Sequence, residues 1–91
     1  MSCPFCRPST LAKAVWQNEQ FVAVPDIRPR AKPHVLVFPR QHVLFLAHAD
    51  SDFLQVVARV AKEVLHLDAY QVVINQGGTS VPHLHAHIKG A

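Results

Sequence analysis

The sequence predicts an α+β domain in which one main helix covers a mostly antiparallel, five-stranded sheet. Three observations carry this expectation. Short β-branched and aromatic runs recur along the chain, one stretch alone repeats apolar residues at intervals of three and four, and strand runs flank that stretch without alternating with further helices. At 91 residues the chain suits a single domain, 1–91, with one modest core. A core of that size is marginal by itself, so a metal or a partner chain is an expected source of added stability.

The elements follow in order. "AKAVWQNEQFVAVPD" reads as a hairpin, with strands Ala12 to Trp16 and Phe21 to Val24 around the polar turn Gln17 to Gln20. Pro25 to Pro33 contains three prolines, which predicts an ordered loop without ladder hydrogen bonds. "HVLVFP", His34 to Pro39, is apolar on both faces and closed by proline, as suits a strand inside the sheet. In "ADSDFLQVVARVAKEVLHLD", Asp50 or Ser51 can cap a helix, and Asp52 favours its first turn. Phe53, Val57, Val60, Ala61 and Val64 form its apolar stripe, widened by Leu54 and Leu65. "AYQVVIN", Ala69 to Asn75, is a further strand, "QGGTS" a loop, and "VPHLHAHIKG" the last strand.

Composition narrows the function. With 49% apolar and 16% charged residues the chain is globular rather than disordered. No apolar run approaches the ~18 residues that span a bilayer, and "MSCPFCRPST" lacks a secretory apolar core, so the expected location is the cytoplasm. Reducing conditions there favour metal or redox roles for the two cysteines over a structural disulfide. The formal charge is +3, concentrated at Arg28, Arg30, Lys32 and Arg40. Such a cluster suits an anionic ligand such as a phosphate ester, or is an ordinary solvated basic face. It is neither the long stripe nor the aromatic platform of a nucleic-acid binder, so neither nucleic acid nor membrane is expected as a partner.

The chemistry concentrates in "SVPHLHAHIKG", where His83, His85 and His87 alternate with Leu84, Ala86 and Ile88. In a strand the imidazoles share one face and the apolar residues the other, so the second set faces the core and the first lines a cleft. Clustered imidazoles serve three chemistries: metal binding, nucleophilic or acid-base catalysis near neutral pH, and stabilisation of charge on phosphate oxygens. The bland alternative is the polar face of an edge strand.

"HLHAH" resembles the motif of the histidine triad (HIT) superfamily of nucleotide hydrolases and transferases. The likeness extends to "FCRPS…AVWQNEQFVAVPDIRPRAKPHVLVFPRQHV" and "YQVVINQGGTSVPHLHAHIKG", nearly the whole chain. The resemblance implies that His85 attacks the α-phosphorus of a nucleoside phosphoramidate, anhydride or related ester. A covalent nucleotidyl-histidine forms, from which water or another acceptor releases the nucleotide. It implies further that a backbone carbonyl holds the proton on the second ring nitrogen of His85, and that His87 donates to a phosphoryl oxygen. By the same likeness Ser80 binds phosphate or protonates the leaving group, Asn75 contacts phosphate or leaving group, and His34 packs near His83. Asp26 and Ile27, in "VPDIRP", match the segment that holds ribose and base, although Asp26 after Pro25 is also a good turn residue. Thr79 stands where the family commonly has glutamine.

Cys3 and Cys6 form C-x-x-C, a spacing shared by zinc sites and redox pairs. Relatives with this pair complete a zinc site with a histidine after the buried strand and the first triad histidine, which correspond to His42 and His83. The resemblance thus implies a structural zinc on Cys3, Cys6, His42 and His83, pinning the N-terminal arm beside the catalytic strand. His48 and His66 read as surface histidines, the latter in the last helical turn. The resemblance and the small core together imply a homodimer whose sheets join, acting on a purine nucleotide, nucleoside phosphoramidate or dinucleotide. Two alternatives stand beside this reading: a zinc-stabilised nucleotide-binding module with little turnover, and a metallohydrolase with all three triad histidines on one catalytic ion.

Overall fold

The computed structural model describes residues 4–27, 29, 31–76 and 82–90. Five antiparallel strands form one sheet: β1 (Trp16–Gln17), β2 (Phe21–Pro25), β3 (His34–Pro39), β4 (Tyr70–Ile74) and β5 (Ala86–Gly90). Their spatial order is β1-β2-β3-β5-β4, so the last strand inserts between β3 and β4. The histidine segment therefore leads into the middle of the sheet, and β4 lies at an edge.

Two apolar layers cover the sheet. On one side Phe21, Ala23, Val35, Val37, Leu84, Ala86 and Ile88 pack against Phe53, Val56, Val57, Val60 and Ala61 of the helix. The helix α2 (Phe53–Arg59) continues through a π-type turn, Val60–Val64, in which Leu65 N–H reaches the Val60 carbonyl at 3.0 Å. On the other side Val22, Val24, Leu36 and Phe38 are covered by Phe5 of the N-terminal arm, with Leu11 and Ala14 alongside. Phe5 stacks on Phe38 with ring centroids 4.4 Å apart. Alternation along β2 and β3 feeds both layers, which is why "FVAV" and "HVLVFP" are apolar throughout.

Several boundaries differ from the sequence reading. Residues Pro8–Leu11 form a short helix, α1, and β1 holds only Trp16–Gln17, where a strand from Ala12 was expected. Pro8 explains the difference, because its fixed φ and missing N–H suit the first helical turn. Pro25 belongs to β2, and Asp26 N–H extends the ladder to the His34 carbonyl at 2.9 Å, so the proline loop begins later than expected. Leu54 is half exposed and does not widen the buried stripe, whereas Val56 is buried in it. Asp52 occupies the cap position and Asp50 Oδ1 accepts its N–H at 3.3 Å, one residue later than the capping predicted for Asp50 or Ser51. His66 lies past the helix at φ 56°, a left-handed closing residue rather than a member of the last turn.

The final strand pairs only from Ala86, although it was expected from Val81. Val37 is the last β3 residue paired with β5, opposite Ala86, and β3 ends at Pro39, which has no N–H to extend the ladder. Upstream, Leu84 N–H bonds instead to the Val43 carbonyl at 2.7 Å. At the far end Gly90 N–H bonds to the Pro33 carbonyl at 2.8 Å. A Cβ on Gly90 would lie 2.7 Å from both the Lys32 carbonyl oxygen and Pro33 Cδ. Since both are stiff neighbours, Gly90→Ala is expected to destabilise the fold by about 1–3 kcal/mol, read as a lower urea midpoint at unchanged slope.

Candidate functional site

The imidazoles follow from the register. Leu36 faces His87 across the β3–β5 ladder and His34 faces Lys89, so His34 and His87 lie on one face of adjacent strands. His83 and His85 continue that face upstream, while Leu84, Ala86 and Ile88 fill the helix side. The alternation thus sorts as the sequence predicts, even though His83 and His85 precede the paired strand.

His83 is almost fully buried. Its Nε2 lies 2.7 Å from the Pro39 carbonyl oxygen, which can only accept, so the proton is on Nε2 and Nδ1 carries a lone pair. That lone pair looks to Cys6 Sγ at 3.7 Å, and His42 Nδ1 is 3.5 Å from the same sulfur. Burial pushes the His83 imidazole below its ordinary pKa, opposed by the Pro39 carbonyl bond and reinforced by His42 and His85. His83 is therefore a neutral ring, the form that ligates metals.

A tetrahedral zinc with Zn–S of about 2.3 Å and Zn–N of about 2.0–2.1 Å separates its sulfur and nitrogen ligands by about 3.6 Å. The two Cys6–histidine distances, 3.5 and 3.7 Å, fit that edge. Cys6, His42 and His83 are therefore brought together as a group able to hold a metal ion. Cys3, the fourth expected ligand, lies outside the described residues, as do Ser80, Arg28 and Arg30.

His85 presents a different arrangement. Its Nδ1 donates to the His83 carbonyl at 2.8 Å, which leaves Nε2 with a lone pair. The ring is buried, with Phe5 edge-on at 5.0 Å between centroids and His87 at 4.9 Å. Sequence reasoning anticipated a carbonyl in this role but not Phe5. The one hint was an apolar residue inside the turn "CPFC".

His87 belongs to a second cluster. His34 Nε2 lies 3.2 Å from Asp26 Oδ2 and 3.0 Å from His87 Nδ1. A carboxylate oxygen only accepts, so His34 carries its proton on Nε2; His87 Nδ1, facing the same N–H, is then an acceptor, and the His87 proton sits on Nε2. Burial lowers the His87 pKa to about 4, with His85, His34 and Lys89 adding to the fall and Asp26 opposing it. At neutral pH His87 is thus an uncharged donor through Nε2–H.

This geometry corrects two expectations. His34 packs against His87 and Asp26, not near His83, because the β3–β5 register sets it opposite the far end of the motif. The three triad histidines also do not converge on one ion: among the described residues His83 groups with Cys6 and His42, His87 groups with Asp26 and His34, and His85 joins neither group. That division gives no support to a single catalytic metal on all three. Asp26 is half-buried with its carboxylate against His34, and Ile27 beside it is 82% exposed. Asn75 is exposed, one residue past Ile74, whose partner Ala86 follows His85. Arg40 braces the first hairpin, its guanidinium donating to the Asn18 carbonyl at 2.8 Å and to Gln17 Oε1 at 2.5 Å. His48 is exposed, as expected. No helix among the described residues is long and apolar enough to cross a membrane.

Known proteins share this fold. The HIT domain profile matches residues 7–91. A HIT-like protein from Chlamydia pneumoniae is 35% identical over 86 residues, covering 84% of this chain and 78% of its own. The crystal structure of a histidine triad nucleotide-binding protein from Candida albicans matches 96% of this chain and 73% of its own, with a TM-score of 0.79 at 28% identity. That of a zinc-bound histidine triad family protein from Mycobacterium smegmatis matches 99% and 75%, with a TM-score of 0.73 at 31% identity. Alternating imidazoles on one face of a five-stranded sheet, a helix on the other and a profile match over nearly all the sequence lead to one assignment: the chain belongs to the HIT domain family, whose fold is that of nucleotide-binding hydrolases and transferases.

Proposed function

We propose that the chain is a nucleotide phosphoramidase, hydrolase or nucleotidyl transferase that works at the α-phosphate of a purine nucleotide derivative through a nucleotidyl-His85 intermediate. One observation carries this reading: Nδ1 of His85 is committed to the His83 carbonyl, which holds the ring in one orientation and leaves Nε2 as the nitrogen free to attack. In the first step His85 Nε2 bonds to phosphorus while the bond to the leaving group breaks. A neutral attacker meets no charge repulsion from the phosphate oxygens, and one displacement is split into two easier ones. His87 Nε2–H donates to a phosphoryl oxygen, with its tautomer held by His34. Ser80 supplies the proton that the leaving group needs, and Asn75 contacts phosphate. Water or another acceptor then attacks phosphorus, its proton returns to Ser80, and the P–N bond breaks to restore neutral His85. Asp26 and Ile27 hold ribose and base.

Cys6, His42 and His83 would hold a structural zinc, with Cys3 as fourth ligand. Held there, the ion would cross-link the arm to the segment before β5. It takes no part in the displacement. The chain acts as a homodimer joined at β4, a five-residue edge strand with Tyr70 and Val72 exposed. Val72→Asp is accordingly expected to halve the mass seen by light scattering.

The decisive test is a rapidly quenched reaction with an adenosine phosphoramidate, analysed by mass spectrometry. A nucleoside monophosphate on His85, kinetically competent and formed in the presence of mild chelator, is the expected result. Product without any such adduct would refute the covalent route, and nucleotide binding without product would leave the chain a binding module.

A further inference from the structure

We propose that Asp26, His34 and His87 form a second divalent-cation site, separate from the Cys6 group, and that a zinc ion there shuts the nucleotide site. Asp26 Oδ2, His34 Nε2 and His87 Nδ1 are mutually 3.2, 3.0 and 3.9 Å apart. Nitrogen and oxygen ligands of a tetrahedral zinc stand about 3.4 Å apart, and the three distances straddle that value. The three residues come together as a metal-capable group, with Asp26 and His87 half-buried and His34 buried behind them.

The chemistry of the donors favours a cation over a proton at the centre. The one hydrogen on His34 Nε2 faces two acceptors at once and cannot point straight at both, whereas a cation accepts all three lone pairs together. Both rings stay neutral in that state: His34 ligates through Nε2 with its proton moved to Nδ1, and His87 ligates through Nδ1 with its proton on Nε2. Two imidazoles and a carboxylate select zinc and its first-row neighbours over magnesium or calcium. Three protein ligands leave room for water, so the site is open and binds more weakly than a closed four-ligand site.

The inhibitory part rests on the functional reading above. A carboxylate committed to zinc no longer accepts from a ribose hydroxyl, whereas His87, ligated through Nδ1, keeps its Nε2–H for phosphate, so the inhibition falls on the ribose contact of Asp26. Zinc at the second site is therefore a competitive inhibitor with respect to nucleotide.

The test is zinc binding to the full chain by equilibrium dialysis, with metal counted by atomic spectroscopy. Wild type is expected to take up two zinc ions per chain, the second more weakly. Asp26→Asn and His34→Gln should each lose the second ion, with affinity lower by more than about tenfold, while keeping the first; Cys6→Ser should lose the first and keep the second. A wild-type stoichiometry of one, or a second ion unaffected by Asp26→Asn, overturns the proposal. Asp26→Asn preserves shape, so it decides the matter even where His34→Gln fails to fold. Rates of phosphoramidate turnover across the same zinc range are read separately. Turnover unchanged on filling the second site overturns the inhibitory role. An absence of turnover at low zinc overturns the catalytic reading and leaves the stoichiometry to judge the site.

Discussion

Replacing His85 with alanine is expected to lower kcat/KM for an adenosine phosphoramidate by at least about a thousandfold, since removal of a nucleophile cannot be offset by the groups that only position substrate. The fold should persist. Among the described residues His85 makes one side-chain hydrogen bond, to a carbonyl of its own segment, and its ring borders Phe5 and His87 rather than the helix-side core. His85→Asn sharpens the test, because an amide can keep a donor toward the His83 carbonyl without an attacking nitrogen. Both variants should be equally inactive, with far-ultraviolet circular dichroism and nucleotide affinity close to wild type. A rate near wild type in either would remove His85 from the chemistry.

The second large effect falls on stability. His83→Ala removes a buried ring, leaves the Pro39 carbonyl without its side-chain donor and takes a ligand from the proposed zinc. An orphaned buried acceptor alone costs about 1–3 kcal/mol, and ring loss and metal loss add to it. A total of about 3 kcal/mol corresponds to a fall in Tm of about 12–24 °C for a chain this small. Calorimetry with and without chelator separates the contributions. Wild type should drop toward the variant when metal is removed, and the variant should not respond. A wild-type Tm indifferent to chelator would assign the loss to packing and the Pro39 bond. Turnover should fall far less than in His85→Ala, because the backbone carbonyl that orients His85 remains.

How much of this was legible in the sequence depends on the range of the physics involved. The alternation of His83, His85 and His87 with Leu84, Ala86 and Ile88 is a period-two signal, and the chain folds it as read. The β-branched runs of β3 and β4 and the helical stripe are equally local, and all three elements lie where expected within a residue or two. Errors arose where a local pattern had two outcomes. Ala12 to Val15 looks like a strand start, but Pro8 nucleates a helical turn ahead of it and only Trp16 and Gln17 reach the sheet. Leu54 carries the right residue type at the wrong angle, and turns to solvent. The partner of His34 was not legible, because it follows from the pairing of Leu36 with His87, a contact between residues far apart in the chain. Nor was it legible that Arg40 braces the turn at Asn18, a contact across 22 positions of the chain.

One segment does two jobs with alternate residues. Leu84, Ala86 and Ile88 seal the helix layer, and the imidazoles between them face the opposite way. A length change of a single residue within 83–88 would turn every downstream side chain over, carrying rings into the greasy layer and aliphatics out to the cleft. Point changes here can be weighed one function at a time; insertions and deletions cannot, so chemistry and architecture in this stretch stand or fall as a common reading frame.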